Sequence, residues 1–326
     1  MWLVWTCVAI IFYALCEVYE KKSVDFEEPF SEGKLLVWFG IFALLVSVLI
    51  SVAGLRESDV DIIHRIVESP VFVLSPVFYF LSLFIAFVSL KLIPVSVEVQ
   101  ITNTDGIMSF IGAVSLYAFL GKYDVITEKV TPVKVILVLL TTVTALVFSA
   151  MHQKNVRTGE DAELAEKIKK RGKKGIFGNA KVLTAIGIIC AFLSAAFDAG
   201  DSVIEYYIIG EVADSYEYLF FAGIVTWILS LVVWIYISIR LKKAYNPFSK
   251  GQLNKALGAF LDCTGTVATV LAVAENPFWT NPLVSTYGVF TVLFSRIILK
   301  EKLSLKQYVC IGILVCEICA FAFLDV

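Results

Sequence analysis

Ten apolar stretches run along this chain, in two groups of five divided by one basic segment near its middle. They cover roughly residues 2–19, 35–54, 70–92, 95–120, 132–151, 182–200, 217–239, 254–274, 278–299 and 306–324. About 20 consecutive apolar residues cross a hydrocarbon core of ~30 Å, so each stretch predicts one membrane helix. The run from Pro70 to Leu120 would be about 75 Å long as one helix at ~1.5 Å per residue, too long for one crossing. It must turn near Lys91–Pro94, and the run from Asn254 to Leu299 must turn at Glu275-Asn276-Pro277. Both long runs are the third and fourth stretches of their groups, a first sign of duplication. The pattern predicts an all-α polytopic membrane protein with ten transmembrane helices, arranged as two inverted five-helix repeats around a central cavity. Residues 1–151 form the first repeat, 152–181 a basic cytoplasmic linker, and 182–326 the second.

Composition agrees. Hydrophobic residues make up 59% of the 326 positions, mean hydropathy is +0.83, and spans with short loops leave no room for a soluble catalytic domain. No basic segment precedes the first stretch, so it is expected to be retained and not cleaved as a signal. The formal net charge is only -2, but the basic residues are unevenly placed. Of 27 Lys and Arg, 22 fall on the loops after spans 1, 3, 5, 7 and 9 or their flanks, and 5 on the other side. The positive-inside rule then puts the odd-numbered loops in the cytoplasm and both termini outside, as a multi-pass protein of the cell (plasma) membrane. The segment Asp161–Arg171 runs from acidic to basic, which suits a short helix in a solvated linker; no nucleic-acid partner is expected. All seven cysteines fall inside spans. Cys316 and Cys319 form a CxxC that reads as packing. No cofactor, metal motif or disulfide framework is expected.

The halves can be superposed at a shift of about 180 residues. Glu17 and Glu20 near the end of span 1 match Asp198 and Asp201 near the end of span 6 at a shift of 181. Spans 4 and 9 align at 179, with Leu120-Gly121-Lys122 against Leu299-Lys300-Glu301, which sets Asn281 close to the counterpart of Asn103. Each half has an odd number of spans, so the second enters from the opposite face. Inverted repeats of this kind are an architecture of secondary transporters, with the binding site near the midplane.

The segment Leu299-Lys300-Glu301-Lys302-Leu303-Ser304, followed by Gln307, Tyr308 and Gly312, resembles the last two spans of the drug/metabolite transporter superfamily, EamA type. Leu90-Lys91-Leu92-Ile93-Pro94-Val95-Ser96 is similar to that family's junction between spans 3 and 4. The resemblance covers the layout of the whole chain and about a fifth of its letters. It implies a ten-helix basket with spans 5 and 10 peripheral and the other eight lining a central cavity. Two features depart from it: members commonly have cytoplasmic termini, and the first half lacks a clear Leu-x-Glu-Lys turn.

Charged groups inside a bilayer are costly and mark pathways. Glu98, Thr102 and Asp105 recur at i, i+4 and i+7 in span 4 and so share one helix face, a polar stripe that reads as cavity lining. Asp262 is the second buried acid, on span 8, which the family layout sets across the cavity from span 4. Span 9 offers Asn281 and Ser285, with Trp279 and Tyr287 as aromatic walls. Asn103 completes the substrate-binding candidates. Asp105, Asp262 and Glu17 are the candidates for proton coupling; Leu15-Cys16-Glu17-Val18 also resembles the first helix of small multidrug resistance proteins, where such a Glu exchanges protons for cationic drugs. The other reading of Glu17 is an interfacial residue paired with Lys21. Asp198, Asp201 and Glu205 read as the mouth of the outer vestibule, and Glu317 has no assigned role.

Buried acids with aromatics favour a cation, so the leading expectation is a secondary active transporter for a small cationic or zwitterionic metabolite, such as an amine, amino acid or quaternary ammonium compound. Its partners are that small molecule and the lipid bilayer, and two fused halves make a monomer sufficient. A neutral or anionic solute, such as a nucleoside or sugar derivative, held by Asn103, Asn281, Thr102 and Ser285 on the same fold is the alternative. An intramembrane enzyme or sensor is the second. It has little to work with: His64 and His152 are the only histidines, both outside spans, and no HExxH, GxSxG or P-loop occurs.

Overall fold

The computed structural model of the chain describes residues 1–24, 28–55, 69–93, 95–144, 147, 180–249, 251–299 and 305–324. Among them there is helix and no strand. The first half holds α1 (Trp2–Ser23), α2 (Ser31–Val52), α3 (Val71–Leu92), α4 (Val95–Thr102), α5 (Asp105–Phe119), α6 (Tyr123–Lys129) and α7 (Pro132–Thr144). The second holds α8 (Ala180–Tyr207), α9 (Ser215–Leu241), α10 (Leu253–Glu275), α11 (Thr280–Val284), α12 (Tyr287–Leu299) and α13 (Leu305–Leu324). Six of these, α1, α2, α3, α8, α9 and α10, are long and apolar enough to cross a membrane. The chain is an all-α, multi-pass membrane protein.

Local chemistry explains where the helices stop. Ile93 precedes Pro94, whose ring disfavours helical geometry in the residue before it, and Ile93 is extended at φ -132°, ψ 158°. Asn276 precedes Pro277 and is extended at φ -148°, ψ 86°. These are the two turns the long apolar runs require. At the start of α9, the Asp214 carboxylate accepts the backbone N–H groups of Tyr216 and Glu217 at 2.7 and 2.8 Å, satisfying donors that a helix start leaves free.

Three expectations need correction. The stretches 95–120 and 278–299 are not continuous helices. The first breaks at Asn103-Thr104 and the second at Ser285-Thr286, each into two short helices. The sixth stretch does not end at 200: α8 runs on to Tyr207 and closes with a wider π turn, Ile208–Val212. The Asp161–Arg171 helix and nearly all of the 152–181 linker lie outside the described residues, as does the end of the fifth stretch beyond Thr144.

Three helix pairs dominate the packing. α1 lies along α10, α3 along α8, and α2 against α9. The last pair crosses at matched small residues. Ser47 donates to the Phe220 carbonyl at 3.0 Å, and Ser230 donates to the Leu36 carbonyl at 2.8 Å. A Cβ on Gly40 would lie 2.2 Å from Ser230 Cβ, and one on Gly223 would lie 2.1 Å from Ser47 Oγ and 2.5 Å from the Ala43 carbonyl. Small residues let membrane helices approach until such contacts form. Apolar clusters fill the space on either side, one around Leu35, Phe39, Phe80 and Phe87, another around Ile50, Phe72, Phe220 and Phe221.

Gly223→Val is expected to cost about 1–3 kcal/mol through overpacking, because backbone as well as side chain must yield. Gly312, whose Cβ would meet nothing within 4 Å, is the control: Gly312→Val should leave the melting temperature in detergent unchanged.

Candidate functional site

A central cavity of about 180 Å³ lies between the helix pairs. Its lining comes from α1, α2, α3, α4, α5, α8, α9, α10, α11 and α12 with Ser285, and from none of α6, α7 and α13. Eight carboxyl groups face it: Glu17 and Glu20 from α1, Glu98 from α4, Asp105 from α5, Asp198, Asp201 and Glu205 from α8, and Asp262 from α10. Among the described residues, no Lys or Arg lines it.

The backbone breaks build the middle of this site. Asp105 opens α5 immediately after the first break, where a helix start favours negative charge. Its Oδ1 accepts the Gly106 N–H at 2.6 Å and the Ser285 hydroxyl at 2.8 Å. Ser285 sits in the second break, so the two interrupted segments meet at their turns, where the backbone keeps helix-like dihedrals. The contact is reciprocal. A Cβ on Gly106 would lie 2.3 Å from Ser285 Oγ, and one on Gly288 would lie 2.6 Å from Asn103 Nδ2. Gly106 and Gly288 are 182 positions apart, as are Asn103 and Ser285. Asp198 on α8 lines the same cavity. Next to them Asn281 donates to the Ser202 hydroxyl at 2.6 Å.

Tyrosines hold the remaining acids. The Tyr79 phenol donates to Asp262 Oδ2, and both Tyr79 and Tyr13 contact the Thr266 hydroxyl at 3.1 Å. Glu17 accepts from the Tyr287 phenol at 3.2 Å, and the Tyr13 and Tyr287 rings lie 5.8 Å apart. Asp201 accepts from Ser75 at 2.5 Å, and Ser75 contacts the Tyr218 hydroxyl at 2.8 Å. One oxygen each of Glu17, Glu98 and Glu205 has no hydrogen-bond partner among the described residues.

Of the nine candidates from the sequence, seven line the cavity: Glu17, Glu98, Thr102, Asp105, Asp262, Asn281 and Tyr287. Two do not. Trp279 is fully buried in an apolar cluster, stacked on Phe110 with ring centroids 5.0 Å apart, and its indole N–H donates to the Lys129 carbonyl at 3.1 Å. It is a packing residue and no wall of the cavity. Asn103 packs against Gly288, and the 182-residue register pairs it with Ser285, where the 179-residue alignment suggested Asn281. Asp198, Asp201 and Glu205 belong to the cavity and not to a vestibule mouth, because α8 continues past them. Glu317 is 5% exposed and accepts from Thr144 at 3.0 Å, joining α13 to α7 away from the cavity. The CxxC cysteines are free and exposed. His64 and His152 lie outside the described residues. Cys16, Ser75, Tyr79, Tyr218 and Thr266 were not candidates. A signal existed for some of them: Ser75, Tyr79 and Ser82 recur at i, i+4 and i+7 on an apolar helix, as the span-4 stripe does.

At the end of the bundle where α1 and α3 finish and α2 and α10 begin, ion pairs tie the elements together. Glu28 accepts from Lys34 at 2.6 Å and from Lys255 at 2.8 Å, and Glu32 pairs with Lys91. Compared with models of known protein families and with curated protein sequences, the chain matches none.

Burial opposes the charge on Glu28, but the Lys255 and Lys34 ammoniums outweigh it and hold its carboxyl below the usual range. A carboxyl that ionises more readily in the folded protein stabilises it fully above the unfolded value of about 4.3, and that contribution is lost as pH falls through the folded value. Glu28→Gln should therefore lower the melting temperature at pH 7. The gap to the parent protein should close as pH falls below about 4, which a melting series from pH 7 to pH 3 would show.

Proposed function

We propose that this protein is a proton-coupled secondary transporter for a small cationic solute, with an amine, amino acid or quaternary ammonium compound as its cargo. The observation that carries this reading is the charge of the cavity: eight carboxyl groups and, among the described residues, no Lys or Arg. An anionic cargo would want guanidinium or ammonium groups there. The alternative of a neutral solute held by side-chain amides is weakened, since Asn103 faces Gly288 instead of the cavity.

The wider architecture proposed is ten spans in two inverted repeats. Several features support it. Val71 and Leu253 open their helices 182 positions apart, and so do Asp105 and Tyr287. The α1–α10 and α3–α8 pairings exchange under the same shift. The interrupted segments meet at their breaks through residues that are equivalent at a shift of 182. α7 and α13 lie outside the cavity, as the resemblance to EamA-type drug/metabolite transporters implies for spans 5 and 10. The charge bias of the loops supports odd-numbered loops facing the cytoplasm of a cell whose plasma membrane holds the protein.

Coupling in this scheme runs through Asp105. Asp105 and Asp198 line one cavity that, among the described residues, holds no Lys or Arg, and like charges crowded together disfavour full ionisation, so in this scheme a proton is retained there when no cation is near. A cation entering the cavity supplies the counter-charge instead, and the proton leaves. Asp262 and Glu17, each held by a tyrosine, are the further exchange positions.

Two experiments test this. Purified protein is melted against a panel of amines, amino acids, quaternary ammonium compounds, sugars, nucleosides and organic anions. A ligand of the native state at 100 times its Kd adds about 2.7 kcal/mol of stability, and the cations are expected to raise the melting temperature. Stabilisation by anions or neutral solutes alone would overturn the cation reading. In proteoliposomes, Asp105→Asn and Asp262→Asn are each expected to cut uptake of the stabilising cation at least tenfold. Unchanged uptake in both would remove proton coupling through these groups.

A further inference from the structure

One cluster in the cavity is chemically unlike the rest. Cys16 and Glu20 stand one turn apart on α1, and Asp262 faces them from α10. The Cys16 sulfur and one carboxyl oxygen from each acid lie within 4.8 Å of one another. Cys16 is 2%, Glu20 5% and Asp262 6% exposed. Gly258 lies one turn before Asp262, and a Cβ there would sit 3.3 Å from Glu20 Cγ, so α10 packs closely on α1 at this point.

An organic ammonium ion is met by carboxylates and aromatic faces and has no use for a thiol, which is a weak acceptor. A thiolate beside two carboxylates is instead a donor set for a divalent cation of intermediate softness. The single Cys16 S–H proton has two acceptors within reach, Glu20 Oε1 at 3.1 Å and the Gly258 carbonyl at 3.3 Å. A second, separate observation points to a ligand. Glu98, only 2% exposed, lines the same cavity with an oxygen that no described group satisfies. A buried carboxyl oxygen without a partner is costly unless something binds it.

We infer that Cys16, Glu20 and Asp262 form a site for a thiophilic divalent cation of the zinc type, with Zn2+, Co2+ and Cd2+ as its chemical class. On binding, a metal–sulfur bond forms and the S–H bond breaks; the proton leaves to water in the cavity, and no electron is transferred. Zinc-type ions take four ligands, and water from the cavity supplies the fourth. Binding stands on this geometry alone; that the ion is also cargo rests on the proposed transport function. The absence of a metal motif in the sequence is no obstacle, because two of the donors are four residues apart on one helix and the third comes from the other half of the chain.

The test is a titration of the purified full-length protein with Co2+, followed by absorption. Thiolate ligation produces a near-ultraviolet charge-transfer band, expected to saturate at one equivalent and to be bleached by Zn2+ or Cd2+. Cys16→Ser should abolish the band, and Asp262→Asn should weaken Co2+ affinity at least tenfold. The Cys316→Ser/Cys319→Ser pair should leave the band intact. Zn2+ should raise the melting temperature of the parent protein and not that of Cys16→Ser, while Mg2+ should raise neither. Should Cys16→Ser fail to fold, Asp262→Asn and the Cys316/Cys319 variant still decide the matter. No band, a band that survives Cys16→Ser, or a Mg2+ effect equal to that of Zn2+ would overturn the site. Amines that stabilise the protein where Co2+ gives no band would sink this site and leave the cation reading standing. A band at Cys16 in a protein that moves no cation across vesicles would keep the site and sink the transport reading.

Discussion

Removing a carboxylate from water costs several kcal/mol per ion unless something replaces its hydration, and this chain turns eight of them toward one cavity between membrane helices. That cost governs the rest of the molecule. It explains why tyrosine, serine and threonine hydroxyls cluster where an ordinary helix bundle would carry aliphatic side chains. Tyr79 serves Asp262, Tyr287 serves Glu17, Ser75 serves Asp201, and Ser285 serves Asp105. One oxygen each of Glu17, Glu98 and Glu205 is enclosed and has no hydrogen-bond partner among the described residues.

The backbone is shaped by the same need. Irregular backbone at membrane depth is tolerated only where it meets protein or lines a cavity, and the two helix breaks contact each other while keeping helix-like dihedrals. Gly106 and Gly288 permit the approach, each against a residue in the opposite break. Around this centre, the α2–α9 crossing repeats the device with Gly40 against Ser230 and Gly223 against Ser47. The close, reciprocal packing sets Asp105 against Ser285 across the two halves of the chain. The ion pairs of Glu28 and Glu32 brace one end of the same bundle.

Much of this was legible in the sequence because charge in an apolar run is conspicuous. Glu98, Asp105 and Asp262 stand out on those grounds, and the turns before Pro94 and Pro277 follow from proline chemistry. The breaks at Asn103-Thr104 and Ser285-Thr286 carry no proline or glycine at the break itself, so nothing local announces them. Asp198, Asp201 and Glu205 were placed too far out because their own polarity made the sixth stretch look shorter than α8 is. Trp279 shows the opposite error. An aromatic residue beside polar ones reads as a ligand wall, whereas its indole is consumed by a cluster with Phe110 and Phe321. The union of Cys16 and Glu20 with Asp262 joins two halves of the chain, which no local pattern reports.

The central claim is that cation and proton compete for the same buried carboxyl groups. Its most direct test is proton movement in proteoliposomes holding a pH-sensitive dye, challenged from outside with a cation that raises the melting temperature of the protein. Entry of the cation should drive protons out and make the lumen alkaline, with no such response in vesicles carrying Asp105→Asn. Cation uptake without any proton movement would contradict the account.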